Sequence, residues 1–292
     1  MAPHGTVLLT GGTGKVARFI APLLHEASIP VRIATRSGST PDPTKYQGVT
    51  FDWSDSSTWE PAFANIPSPV SAVWIVIPDM SSPAHVAREF VDLARKKGVN
   101  RFVLLSASAI EIGGFGPGHL HQYLKELGEK ENLEWAVIRP TWFQENFVEH
   151  ENHVRSIKED NKIYSATGPG RVPWVSCRDI AAVAFHALTA NELLDRDLLV
   201  LGDKLYTSTD LASIFTQVLG REIVYQELST DELAKRHESF GQPKEFAKFL
   251  GILDTGIKNG AEDRVNDVIF RVTGRKPISF FDFVEENKDT WM

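Results

Sequence analysis

Gly5-Thr-Val-Leu-Leu-Thr-Gly-Gly-Thr-Gly-Lys-Val-Ala-Arg18 runs from an apolar stretch straight into a glycine loop and then into an amphipathic segment. The order reads as strand, turn, helix. Val7, Leu8 and Leu9 form the buried strand. Gly11, Gly12 and Gly14 have no Cβ, so backbone N–H groups can approach a pyrophosphate lying on the positive N-terminal end of the helix. The spacing Gly12-x-Gly14-x-x-Ala17 fits the dinucleotide fingerprint, whose third small residue lets helix and strand pack closely. Such a loop also serves as a tight turn with no ligand, so its meaning rests on the second strand.

That strand is Pro30-Val-Arg-Ile-Ala-Thr-Arg36, whose end is expected to meet the adenosine ribose. An acidic residue there favours NAD. Arg36 followed by Ser37 offers a cation and a hydroxyl to a ribose 2′-phosphate, which points to NADP(H).

Bulk properties bound the answer. With 292 residues and 42% hydrophobic content the chain is long enough for one large α/β domain with a smaller appendage. A net charge of −7 argues against a nucleic-acid surface, which needs clustered basic charge. The single cysteine, Cys177, excludes an intrachain disulfide, fits a reducing, cytoplasmic setting and reads as a small buried hydrophobe. The N-terminus shows no basic region followed by an apolar one, so no signal peptide is expected. No window reaches the roughly eighteen uninterrupted apolar residues of a membrane span. The nine histidines show no metal-ligand spacing, so no metal is expected.

Along the chain, Val49-Thr-Phe51 makes a short third strand ending in Asp52-Trp53. Asp52 there either accepts from the adenine amino group, with Trp53 against the ring, or caps the next turn. Ala72–Pro78 is a near-continuous apolar run, the pattern of a parallel strand covered on both faces. Its end, Pro78, falls on the nicotinamide side of the crevice where open α/β sheets bind ligands. A helix over 83–97 comes next. Arg101–Ser108 is the fifth strand and ends in the small hydroxyl residues Ser106 and Ser108. The sixth begins near Leu133 and stops at Pro140. Between them His121 and Lys125 stand four residues apart, a spacing that puts both on one helix face, toward the cofactor cleft. His121 relays a proton, lines the site or is a partly exposed surface histidine.

Later come a strand at Val175, a helix over 180–190 capped by Asp179, a strand at 198–201, a helix over 209–219, an exposed-edge strand at 222–228 and a mostly helical stretch over 243–292. The expected fold is α/β: a Rossmann-type, doubly wound parallel sheet with a smaller, mostly helical C-terminal substrate lobe. Residues 1–150 form the NADP(H)-binding core. Residues 151–292 add remaining core elements (about 172–202) and the lobe, in which Phe246, Phe249, Leu250 and Leu253 are core or pocket wall.

Thr10–Val16, Val137-Ile-Arg-Pro-Thr-Trp-Phe-Gln-Glu-Asn-Phe147, Val175-Ser-Cys-Arg-Asp-Ile-Ala181 and Val272-Thr-Gly-Arg-Lys-Pro-Ile-Ser-Phe-Phe-Asp-Phe283 occur in the order that resembles the NmrA-like atypical short-chain dehydrogenases. Within that group the chain is most similar to the fungal ergot-alkaloid reductases, the agroclavine and festuclavine dehydrogenases. Gly11-x-x-Gly14-x-x-Ala17 is also the form common in short-chain dehydrogenases. The resemblance implies that Gly11, Thr13, Gly14, Lys15 and Val16, with Thr10 and Gly12, surround the pyrophosphate. It implies that Arg36 meets the 2′-phosphate, and that Pro78, Ser106 and the strand end at Pro140 lie by the cofactor. Ser108 then touches the reacting group. Conventional members carry Tyr-x-x-x-Lys; this chain has none, since Tyr123 is followed four residues later by Leu127. His121-x-x-x-Lys125 stands in its place, and Lys125 restores a ribose-binding lysine where many NmrA-like chains have glutamate. Trp142, Phe143 and Asn146 fall where the family lines its substrate pocket, with Trp174 joining them, unless the aromatics serve as core packing.

These residues point to an NADPH-dependent reductase of a bulky, apolar small molecule in secondary metabolism, working by direct hydride transfer as a monomer or homodimer. The missing tyrosine bears on the substrate: a reduced ketone needs a proton donor, whereas a reduced iminium becomes a neutral amine and needs none. An NADP(H)-sensing regulator without activity, or a cofactor-dependent isomerase or cyclase, fits the same scaffold.

Overall fold

The computed structural model describes residues 5–77, 84–192 and 197–292. In its first half, strand β1 (Thr6–Thr10) is followed by α1 (Ala17–Glu26), β2 (Val31–Thr35), β3 (Gln47–Thr50), β4 (Val70–Ile75), α2 (Ala84–Lys96), β5 (Arg101–Leu105), α3 (Pro117–Glu131) and β6 (Glu134–Pro140). Then come α4 (Asn146–Glu149), α5 (Glu151–Glu159), β7 (Lys162–Ser165), α6 (Cys177–Thr189), β8 (Asp197–Val200), α7 (Ser208–Leu219), β9 (Val224–Glu227), α8 (Thr230–Ser239), α9 (Lys244–Lys258), α10 (Val268–Thr273) and α11 (Phe280–Asn287).

Every residue of β1 is buried, and β2, β4, β5 and β6 are buried at all but one position each. Strands covered on both faces are mostly apolar, which is why these segments read as near-continuous runs, interrupted by the buried Arg32, Arg101 and Arg139. The sheet order is β3-β2-β1-β4-β5-β6-β8, with every pairing from β3 to β6 parallel. The chain therefore winds outward on one side of β1, returns, and winds outward on the other from β4. Parallel neighbours share one carboxyl edge, and the switch point lies between β1 and β4. Thr10 ties that point together: its Oγ1 donates to the Trp74 carbonyl and accepts from the Val76 N–H, both at 3.0 Å.

Two compact units result, one of Met1–Pro140, Arg178–Leu199 and Arg271–Thr273, the other of Thr141–Cys177, Val200–Phe270 and Gly274–Met292. In the first, Phe51, Trp53 and Trp59 set their rings edge-on around fully buried Phe90 at centroid distances of 5.1, 5.1 and 5.9 Å. In the second, fully buried Trp291 and Phe215 meet edge to face at 4.8 Å, and the Trp291 indole donates to the Phe147 carbonyl at 3.1 Å.

Helix starts in the second unit are written locally. Thr207 accepts from the Asp210 N–H while Asp210 accepts from the Thr207 N–H, and Ser229 and Glu232 repeat the arrangement on α8. Gly220 ends α7 in the left-handed region at φ +66°, a conformation that costs other residues strain. Replacing Thr207 by alanine is expected to cost about 1 kcal/mol, read as a lower midpoint in urea with the denaturant slope unchanged.

Two local expectations change. α6 begins at Cys177, so Asp179 sits in its first turn rather than at its cap. The acceptor for the Cys177 N–H is the buried Glu145 carboxylate, at 2.8 Å, whose other oxygen takes the Ser176 hydroxyl at 2.9 Å. Val175 makes only an isolated parallel bridge to Phe143 rather than a strand. β9 is paired with β7 in a two-stranded parallel sheet, and β7 is too short, with one fully buried residue, to show a periodicity. Cys177 is fully buried. Among the described residues no helix is long and apolar enough to cross a membrane.

Candidate functional site

The glycine loop divides its labour. Gly12 is buried, its N–H donates to the Ala34 carbonyl at 3.3 Å, and a Cβ there would stand 2.8 Å from Ile33 Cγ2 and 2.9 Å from the Leu9 carbonyl. It is the close-packing glycine of the turn. Gly11, at φ +58°, Thr13 and Gly14 are exposed, and the Gly14 N–H donates to the Gly11 carbonyl at 2.8 Å. Lys15 is half-buried, Val16 is buried, and α1 starts at Ala17. An open turn ahead of a helix N-terminus offers peptide dipoles to an anion. The loop suits a diphosphate.

At the end of β2, Arg36 and Ser37 are exposed. Among the described residues the Arg36 guanidinium makes no hydrogen bond or ion pair, while the Ser37 hydroxyl meets that of Ser39 at 2.5 Å. The Asp52 carboxylate accepts from the Ser54 hydroxyl and N–H at 2.7 and 2.8 Å. Those bonds, with a smaller pull from Arg36, hold it below the usual carboxylate range. It closes its own turn. Trp53 is half-buried, packs on the Phe51 and Phe90 rings and donates its indole N–H to the Val76 carbonyl at 3.0 Å.

On the other side of the switch point Pro78 lies outside the described residues. β5 is held to β6 past its end, the Ser106 N–H donating to the Ile138 carbonyl and the Ser108 N–H to the Pro140 carbonyl, both at 2.8 Å. Ser106 Oγ is buried with no hydrogen-bond partner among the described residues. Buried Arg139 donates to Glu111 at 2.6 Å, Asp197 at 3.1 Å and the Ser108 carbonyl at 3.1 Å, fixing the segment after β5.

His121 is 1% exposed, 5.6 Å from the Trp135 ring, and its Nδ1 has no hydrogen-bond partner among the described residues. Burial pushes its pKa down; Asp197 pulls the other way, and Arg139 and Lys125 reinforce the depression. The imidazole is therefore neutral at neutral pH. Lys125 is exposed and 3.9 Å from Glu129. One residue of the pair is buried and the other is at the surface.

The second unit holds a cavity of about 430 Å³ by itself. Trp142, Asn146 and Trp174 line it, as do Phe147, Phe246 and Leu250; Phe143 does not. The Trp142 and Trp174 rings stand 6.1 Å apart, and Phe147 meets Trp174 edge to face at 5.0 Å. Among the polar lining residues absent from the sequence reading are His150, His153, His237 and Asp254. Asp254 Oδ2 accepts from the Ala166 N–H at 2.9 Å. Burial pushes its carboxyl up to about 6 against that single bond. It carried a signal of its own: on α9 the stripe Phe246, Leu250, Asp254, Ile257 puts one acid among apolar positions at helical spacing.

A model of the NmrA-like family matches residues 3–250. The chain belongs to the NmrA-like family. Among its relatives, the agroclavine dehydrogenase of Claviceps fusiformis is 40% identical over 98% of this chain and 99% of its own length. The festuclavine dehydrogenase of Aspergillus fumigatus is likewise 40% identical over 98% of this chain and 99% of its own. Among solved structures, the Citrobacter sp. triphenylmethane reductase complexed with NADP(H) shares the fold of this NmrA-like chain with a TM-score of 0.78. It is 19% identical and covers 98% of this chain and 100% of its own.

Proposed function

We propose that this NmrA-like protein is an NADPH-dependent oxidoreductase that reduces a bulky, apolar small molecule, an iminium or an activated C=C or C=O compound. The first unit holds the cofactor and the second takes up the acceptor. The observation that carries the reading is the aromatic-walled cavity of about 430 Å³ in the second unit, since it gives a bulky apolar molecule a place to bind. The relatives named for agroclavine and festuclavine support an alkaloid-like acceptor of secondary metabolism.

Gly11, Thr13 and Gly14, with Lys15 and Val16 behind them, bind the diphosphate, and Arg36 with Ser37 binds the 2′-phosphate. Thr10 fixes the strand ends on which the loop stands. The bound cofactor supplies hydride. The chain's own contribution is orientation and exclusion of water. A neutral, buried His121 is a poor acid, which fits an acceptor whose reduction needs no proton: hydride addition to an iminium leaves an uncharged amine. His121→Phe is expected to keep turnover within about threefold of the parent, whereas removing a true general acid costs about 100-fold or more. Steady-state rates of the two proteins on one acceptor decide it.

The function is tested by following NADPH consumption against matched iminium ions, enones and ketones of two or three fused rings. Iminium ions are expected to turn over fastest, because enones and ketones both need a proton after hydride addition; tight NADPH binding with no consumption by any of them would overturn the reductase reading.

A further inference from the structure

We infer that Asp254 is the charge-selecting residue of the second-unit cavity, so that the ligand is bound as an organic cation. This rests on the reductase reading only in taking the cavity as its substrate site.

Three observations converge. Among the described residues the cavity lining contains three acids, Glu149, Glu151 and Asp254, and no lysine or arginine. Glu149 and Glu151 are exposed, which leaves Asp254 as the deep one. Its carboxylate has one neutral donor, the Ala166 N–H, and no ion-pair partner among the described residues. A carboxylate set into an apolar wall without a cation is costly unless something brings the cation. The walls suit that cation, because indole and phenyl faces attract a desolvated ammonium or iminium.

The charges around Asp254 do not supply a substitute. On its own helix, Lys258 is paired with Glu227 of β9 at 2.8 Å. On α8, Arg236 lies 3.8 Å over the Tyr164 ring and donates to Ser156 Oγ at 2.7 Å, and burial holds His237 below the usual histidine range. Tyr206 donates to Asp203 at 2.8 Å. His150 and His153 line the cavity from the α4–α5 side. Protonation of these histidines opposes a cation just as protonation of Asp254 does, so a variant must separate the two.

The probes are the fixed cation trimethyl(2-naphthylmethyl)ammonium and its uncharged carbon isostere 2-neopentylnaphthalene, titrated into the full chain by tryptophan fluorescence at pH 7.5 and 5.0. The parent is expected to prefer the cation by about tenfold or more at pH 7.5 and by several-fold less at pH 5.0. Asp254→Asn should bind both probes alike at pH 7.5, with NADPH affinity unchanged as the control for folding. Equal affinities in the parent, a preference that survives in Asp254→Asn, or entry of neither probe overturns the inference. Cation preference without NADPH consumption by any acceptor leaves this inference standing and removes the reductase reading. Turnover of neutral enones without cation preference does the reverse.

Discussion

Arg36→Ala is expected to weaken NADPH binding by about 100-fold and NADH binding by less than about threefold. The asymmetry comes from where the charge stands. Arg36 follows the last residue of β2, is exposed and has no ion pair of its own among the described residues, so the guanidinium is available to an anion. A 2′-phosphate gives it one, in a charge-assisted pair; a 2′-hydroxyl does not. Asp52 feels Arg36, yet its carboxylate is already satisfied by Ser54, so losing the arginine leaves that turn intact. Calorimetric titration of both nucleotides into parent and variant reads the ratio. Equal losses for the two would remove the 2′-phosphate assignment.

Asp254→Asn is expected to stabilise the protein by up to about 3 kcal/mol at pH 7.5. The sign comes from a carboxyl raised from an ordinary 3.8 to about 6. Below pH ~4 the group is protonated folded and unfolded and costs nothing. Between ~4 and ~6 the unfolded chain ionises first, and above ~6 the full penalty of holding the charge in the cavity is present. The stabilisation by asparagine should therefore be lost on acidification to pH 4, which urea midpoints of the two proteins across that window measure. Sites that bind charge sacrifice stability in this way, and a variant that is sturdier but blind to the cation is the signature expected of one.

The cofactor half of the molecule was legible because its signals are local. A parallel strand buried on both faces is a near-continuous apolar run, so β1, β2 and β4 to β6 were found within a few residues of their ends, and the loop after β1 fixes the topology around it. What spacing could not resolve was depth. His121 and Lys125 are one helical turn apart, but each four-residue step rotates about 40° on the helix, and α3 buries Leu120, His121, Leu124 and Leu127 while Lys125 falls on the exposed margin. The cavity was less legible, since its walls come from α4, β7, α7, α8 and α9, segments remote in sequence. Trp142, Asn146 and Trp174 were named from family likeness, and Phe143, named with them, lies outside the lining. The histidines carried no pattern at all. Asp254 did: an acid on the apolar stripe of an amphipathic helix either finds a partner inside the fold or waits for one from outside.

Transfer of label tests the central claim most directly. With NADPH deuterated at nicotinamide C4 and a fused-ring cyclic iminium as acceptor, the account predicts a tertiary amine with deuterium on the former iminium carbon, formed in step with NADPH loss. An unchanged iminium beside intact, bound NADPH, or an amine without deuterium from either C4 position, would contradict it.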